Sequence, residues 1–162
     1  MMIRYFFLSI SLLLTITLSS QELTGEQLLE KAISYHDPEN NWSTFKGKML
    51  IEMENPKSSP RSTVVEMKLP NNYFKTTVKD NYTIESELDN GECTLKLNGS
   101  TSIFPKIKDS LNISCDRAKM MKNYYTYLYG LPMKLKDPGT IIDSKVIKKT
   151  FKGNEYLVLK AG

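Results

Sequence analysis

Two sets of residues in this chain have side chains that could do covalent or acid–base chemistry. The first is His36 with Asp37 in "YHDP", the only histidine of the sequence beside a carboxylate. Such a pair activates a nucleophile only if a Ser or Cys approaches it, and no segment points to that partner. The pair falls at the end of a helical pattern, where an imidazole interacts with the free carbonyls of the last turn. The second set is Cys93 and Cys115. An even count in an exported chain permits one disulfide, and closing a loop of roughly 20 residues would contribute ~3 kcal/mol. Two free, partly buried thiols are the alternative reading. Two cysteines and one histidine fall short of the four ligands of a structural zinc site. The sequence has no G-x-S-x-G, no H-E-x-x-H and no phosphate-binding glycine loop. No catalytic residue, metal or cofactor is therefore expected, and the chain reads as a non-enzyme.

A third set could bind rather than react. "NYYTYLYGLPMKLKDPGT" (residues 123–140) places Tyr124, Tyr125, Tyr127 and Tyr129 within six residues, before a Gly, a Pro and an Asp-Pro-Gly turn. Tyrosine suits packing because its ring is apolar, and suits a wet lip because its hydroxyl reaches water. Both readings stay open: a helix packed on a sheet, or the amphipathic rim of an apolar cavity. Four N-x-S/T sequons, at Asn41, Asn81, Asn98 and Asn112, are weak signs of glycosylation.

These residues must be carried by elements that the sequence spells out. The opening "MMIRYFFLSISLLLTITLSSQE" has one early positive charge, Arg4, then an apolar run of 14 residues and small residues at Ser19 and Ser20. That order is a secretory signal peptide, and the run is shorter than the ~20 residues that span a bilayer. It predicts export to the periplasm or outside the cell, with cleavage after residues 1–20 and no retained transmembrane segment. The formal net charge of +4 falls to +3 without Arg4. Interspersed charges of that size do not predict a nucleic-acid partner. Residues 21–162 then read as one β-rich domain.

Thr24 and Gln27 form a capping box, with Leu23 and Leu28 as its staple. A helix follows on Leu28, Leu29, Ala32 and Ile33, and Pro38 stops it. Beyond it the period changes to two. "FKGKMLIEM", "STVVEMKL", "NYTIESEL" and "ECTLKLNG" alternate apolar and polar residues, with turn chemistry between them. Asp89-Asn90-Gly91 is a hairpin signal. Short connections make an antiparallel meander, and clean alternation leaves one face wet. The other face, rich in Met, needs a cover. A helix from Cys115 to Tyr129 supplies it, with Lys119, Lys122, Asn123, Thr126 and Asp116 on its polar arc. Met120, Met121, the four tyrosines and Leu128 occupy the wider arc, and Gly130 and Pro132 end the helix. "YTYLY" alone also fits a strand. "TIIDSKVIKKTF" and "EYLVLKAG" are two further strands joined at Lys152-Gly153-Asn154. The chain ends inside a strongly apolar run, which predicts that further sequence follows.

Three blocks carry a resemblance: "GEQLLEKAISYHDPENNW", the Cys115 helix with "NYYTYLYGLPMKLKDPGT", and "GNEYLVLK". Together they resemble a group of exported bacterial proteins of unassigned function, similar in fold to the LolA/LolB lipoprotein carriers. The resemblance implies an α+β fold, an antiparallel meander forming an incomplete barrel, covered by the N-terminal and mid-chain helices. It also implies strands beyond "YLVLK". In the carriers the concave apolar face holds acyl chains, so the implied partner is a lipid or lipoprotein. The residues expected on that face are Phe45, Met49, Ile51, Val65, Met67, Ile84, Leu95 and Leu97, with Tyr124, Tyr125, Tyr127 and Tyr129 at its lip. The expected activity is non-enzymatic binding of an apolar ligand. Competing expectations are an envelope or protein-interaction module that fills this face with its own side chains, and a fragment without function.

Overall fold

Period-two patterning builds one antiparallel sheet in chain order: β1 (Lys46–Asn55), β2 (Ser58–Lys68), β3 (Tyr73–Lys79), β4 (Thr83–Asp89) and β5 (Glu92–Leu97). The computed structural model describes residues 22–56 and 58–162. The expected export segment, 1–20, lies outside the described residues. The described chain forms two compact units, one of the described residues up to Glu30 with Ile141–Gly162, the other of Lys31–Thr140. Among the described residues no helix is long and apolar enough to cross a membrane.

The register of the larger unit puts one side chain from each strand into cross-sheet rows. Gly47, Met67, Phe74, Leu88 and Cys93 form the first row, and Met49, Val65, Thr76, Ser86 and Leu95 the second. Ile51, Thr63, Val78, Ile84 and Leu97 form the third. All lie on one face, since alternate residues of a strand share a side. Gly47 lacks a side chain because the Phe45 ring takes its place: a Cβ there would sit 2.3 Å from that ring. β4 and β5 turn through Asn90-Gly91, with φ of 49° and 94°, as a two-residue primed hairpin requires.

β3 is a strand that the sequence reading passed over. It stands at the centre of the sheet and carries Phe74, among the largest fully buried side chains. β2 also begins earlier than the pattern suggested. It includes Pro60, which the sequence alone reads as part of a turn. Pairing with β3 starts only at Ser62, and the β1 side is irregular between Met53 and Asn55. Proline is tolerated at such a half-open, bulged position.

α2 (Pro105–Ser110) leads into α3 (Cys115–Tyr129), the mid-chain helix, whose ends fall where the sequence placed them. Ser114 caps α3: its hydroxyl accepts from the Arg117 N–H at 3.1 Å. α3 packs on β3, β4 and β5, and a Cys93–Cys115 disulfide joins its first residue to β5, with Cα atoms 6.0 Å apart. The core comprises Val65, Met67, Phe74 and Leu88 beneath Ala118 and Tyr125. The fold is thus mixed α+β with an antiparallel meander. The sheet is open, and the described residues close no barrel.

In the smaller unit, the capping box forms as the sequence predicts. Thr24 N–H donates to Gln27 Oε1 at 3.0 Å, and Gln27 N–H to Thr24 Oγ1 at 3.3 Å. They open α1 (Gly25–His36). β6 (Ile147–Phe151) and β7 (Asn154–Val158) form a hairpin, with Lys152 and Gly153 at φ of 49° and 80°. Before and after it, Ile141 N–H donates to the Gly162 carbonyl at 2.8 Å and Asp143 N–H to that of Lys160 at 3.0 Å.

Candidate functional site

The helix-facing side of the sheet changes character along each strand. On β2 it runs Met67, Val65, Thr63, Arg61; on β3 it runs Phe74, Thr76, Val78; on β4, Leu88, Ser86, Ile84. The Met67–Phe74–Leu88 end is sealed by α3. Beyond that end the side chains are short at Thr63, Thr76 and Ser86, and α3 leaves space above them. A cavity of about 200 Å³ opens there. Its floor is Thr63, Thr76, Val78, Ile84 and Ser86, and its other walls are Leu111, Asn112, Ile113, Ala118, Met121 and Tyr125. Arg61, from the N-terminal half of β2, and Arg117, from the first turn of α3, complete the lining.

The electrostatics of the cavity are uneven. Thr63 and Thr76 are 5% and 6% exposed. Their hydroxyls have no hydrogen-bond partner among the described residues, yet no buried side-chain oxygen is stranded. Both statements hold only if these hydroxyls keep some accessible surface, and both residues line the cavity. Arg61 Nη2 donates to the Met53 sulfur at 3.6 Å, a weak acceptor. Among the described residues neither guanidinium forms an ion pair. Burial pushes the Tyr125 phenol upward from its ordinary value, and the fields of Arg61 and Arg117 pull it partly back. Both cations therefore act on the volume that Tyr125 borders.

Of the twelve residues expected on the apolar face and lip, Ile84 and Tyr125 line this cavity. Val65 and Met67 are sealed in the core, and Phe45, Met49 and Ile51 pack against it. Leu95 and Leu97 are half-buried on β5, away from the opening. The tyrosines divide. Tyr125 is 8% exposed and stacks on Phe74, ring centroids 6.3 Å apart. Tyr129 stacks on Tyr125 in turn, at 6.2 Å. Tyr124 and Tyr127 are 56% and 50% exposed. They border a second, wider and more open groove of about 770 Å³ with Met120, Leu69, Lys122 and Lys134. Its cations are already engaged, Lys122 by Asn72 and Lys134 by Asp137. Burial holds the Lys122 ammonium below the usual lysine range.

The sequence reading missed Arg61, Thr63, Thr76, Ser86 and Arg117. Extending the β2 alternation backwards from Val65 gives Thr63 and then Arg61, so the signal was present, though crossed by Pro60. His36 is exposed at the end of α1, its ring edge-on to Tyr35 at 5.3 Å. Among the described residues no group of three His, Cys, Asp or Glu side chains could hold a metal ion.

A concave, mostly apolar pocket with a few convergent polar groups is the usual form of a small-molecule site. The arrangement can bury apolar surface and offer charge-assisted hydrogen bonds to an anion. Neither a curated protein nor a solved structure matches the chain. Residues 3–162 match one family, and the chain belongs to it: the Family of unknown function (DUF6503).

Proposed function

We propose that this protein is an exported, non-enzymatic binding protein for a small ligand with a substantial apolar surface. One observation carries the reading: an open cavity of about 200 Å³ persists between the sheet and α3, beside a core that is otherwise closed. Val78, Ile84, Ile113 and Met121 would bury ligand surface at ~25 cal/mol per Å², and a flexible Met repacks around varied shapes. The resemblance to the LolA/LolB-like carriers supports an acyl chain or lipid as the class of ligand. The volume bounds its size. Sites for drug-sized ligands span roughly 300–1,000 Å³, and an engineered cavity near 150 Å³ accepts benzene. A short chain, or the end of a longer one, fits this cavity. Export is supported by the order of residues 1–20 and by the Cys93–Cys115 disulfide, a bond that persists in oxidising compartments.

The filling of Val65, Met67 and Phe74 by Ala118 and Tyr125 favours a second reading, an envelope or protein-interaction module with a self-filled face. Native mass spectrometry with lipid extraction separates the two. A co-purifying small amphiphile, or saturable displacement of a fluorescent fatty-acid probe, is expected for the binding protein. Clean protein that also ignores the probe would leave the module.

A further inference from the structure

We infer that the cavity recognises a carboxylate, held by Arg61 and Arg117 while the hydroxyls of Thr63 and Thr76 take further hydrogen bonds from or to the ligand. The inference rests on the apolar-ligand reading and adds the class of head group.

Three observations converge. Two arginines from different elements, the N-terminal half of a strand and the first turn of a helix, line one cavity of about 200 Å³, and both of their charges reach Tyr125 on its wall. Neither has a carboxylate partner among the described residues. Two like charges beside one small volume repel, and an anion between them removes that cost. The second observation is the unpartnered pair Thr63 and Thr76, each more than nine-tenths buried, with hydroxyls that keep some accessible surface, on residues that line the cavity. A buried hydroxyl without a partner costs free energy, so the floor is suited to an oxygen-bearing group and poorly suited to a pure hydrocarbon. The third is the rest of the floor. Val78 and Ile84 share a cross-sheet row with Thr63, so the polar and apolar poles of the site lie side by side on one sheet face. Guanidinium matches the planar carboxylate in a two-point hydrogen-bonded fork, and it is always charged. The ligand that satisfies all three is a short amphiphilic monocarboxylate.

The test is calorimetric titration of the full chain with octanoate, octanol and inorganic phosphate, repeated on Arg61→Met and Arg117→Met, with thermal unfolding as the folding control. Both arginines are solvent-exposed, so unchanged unfolding is expected. Octanoate should bind more tightly than octanol, and each substitution should weaken octanoate about ten-fold or more, the scale of a lost charge-assisted hydrogen bond, while leaving octanol unchanged. Arg61→Lys and Arg117→Lys should keep part of the affinity, which separates charge from packing. Equal binding of octanoate and octanol, unaffected by either substitution, would overturn the head-group inference and leave the apolar-ligand reading standing. Phosphate binding as tightly as octanoate would overturn it as well, in favour of a bare anion site. Binding of neither octanoate nor octanol would overturn both.

Discussion

At the scale of single residues, the four tyrosines of α3 show how little a residue type says without its neighbours. Tyr125 rests on Phe74 and supports Tyr129, whereas Tyr124 and Tyr127 look outward. Tyr125→Ala should lower stability by ~3–5 kcal/mol, the usual cost of deleting a buried aromatic. Tyr124→Ala and Tyr127→Ala should stay within ~0.5 kcal/mol, as exposed substitutions do. Denaturant titration of the three variants checks this, and similar losses at Tyr124 and Tyr125 would contradict the packing described. Lys75 on the wet face of β3 makes a second residue-scale case. Its ammonium lies 2.8 Å from Glu85 and 3.4 Å from Glu87. The hydrogen bond to Lys75 holds the Glu85 carboxyl below its ordinary value, and that to Glu85 holds Lys75 above its own. A depressed carboxylate stabilises the fold above its unfolded value and loses that contribution as the pH falls through the folded value. A raised ammonium stabilises below its unfolded value and loses that contribution as the pH rises through the folded one. Lys75→Met should therefore lower the melting temperature at pH 7 and flatten its decline below pH 4.5, the ordinary value for Glu85. Parallel melting curves for variant and parent across that range would remove the pair from the account.

At the scale of elements, the disulfide and the missed strand matter most. Cys93 and Cys115 are separated by 22 positions, and their bond fixes the first residue of α3 to β5. Closing a loop of that length removes unfolded-state freedom worth ~3 kcal/mol. Reduction, or Cys93→Ser with Cys115→Ser, should lower stability by about that much in calorimetric unfolding. A change near zero would mean that the unfolded chain keeps the two segments together without the bond. Legibility differed by element for physical reasons. α3 could be read at its C-terminal end because Gly130 and Pro132 punctuate it, and α1 at its start because the Thr24–Gln27 box does. β3 was hidden because its inward residues are Phe74, Thr76 and Val78, with Thr77 and Tyr73 facing out. Hydroxylic types fall on both faces, which blurs the contrast between Phe74 and Val78 inside and Lys75 and Lys79 outside. The site was hidden for the same reason. A threonine inside a sheet signals nothing until the register shows which face it occupies and what stands opposite it. The width of the α3 apolar arc misled in the other direction, since of its apolar residues Met121 and Tyr125 pack on the core while Met120, Tyr124, Tyr127 and Leu128 are exposed.

At the scale of the molecule, the strands of the two compact units differ in burial, although the smaller unit also buries Leu29 of α1. The larger holds Val65, Met67 and Phe74 at or near zero exposure. In the smaller, every residue of β6 is exposed, as are Tyr156 and Leu157 of β7. A two-stranded hairpin is marginal by itself, and local opening is easiest where few apolar contacts resist it. Amides of β6 and β7 should therefore exchange with solvent deuterium well before those of β2 and β3. One position sharpens the expectation. Gly25 N–H donates to the Ser144 carbonyl at 2.9 Å, and a Cβ on Gly25 would sit 1.9 Å from the Asp143 carbonyl oxygen. Backbone approaches backbone here, so even alanine forces the segments apart. Gly25→Ala should speed exchange across residues 141–145 and the hairpin while leaving β2 and β3 protected. Exchange mass spectrometry on parent and variant reads both effects. A uniform rise across all strands would instead mean that the two units open as one cooperative body, and equal protection of hairpin and sheet in the parent would show that exposure fails to set local stability here.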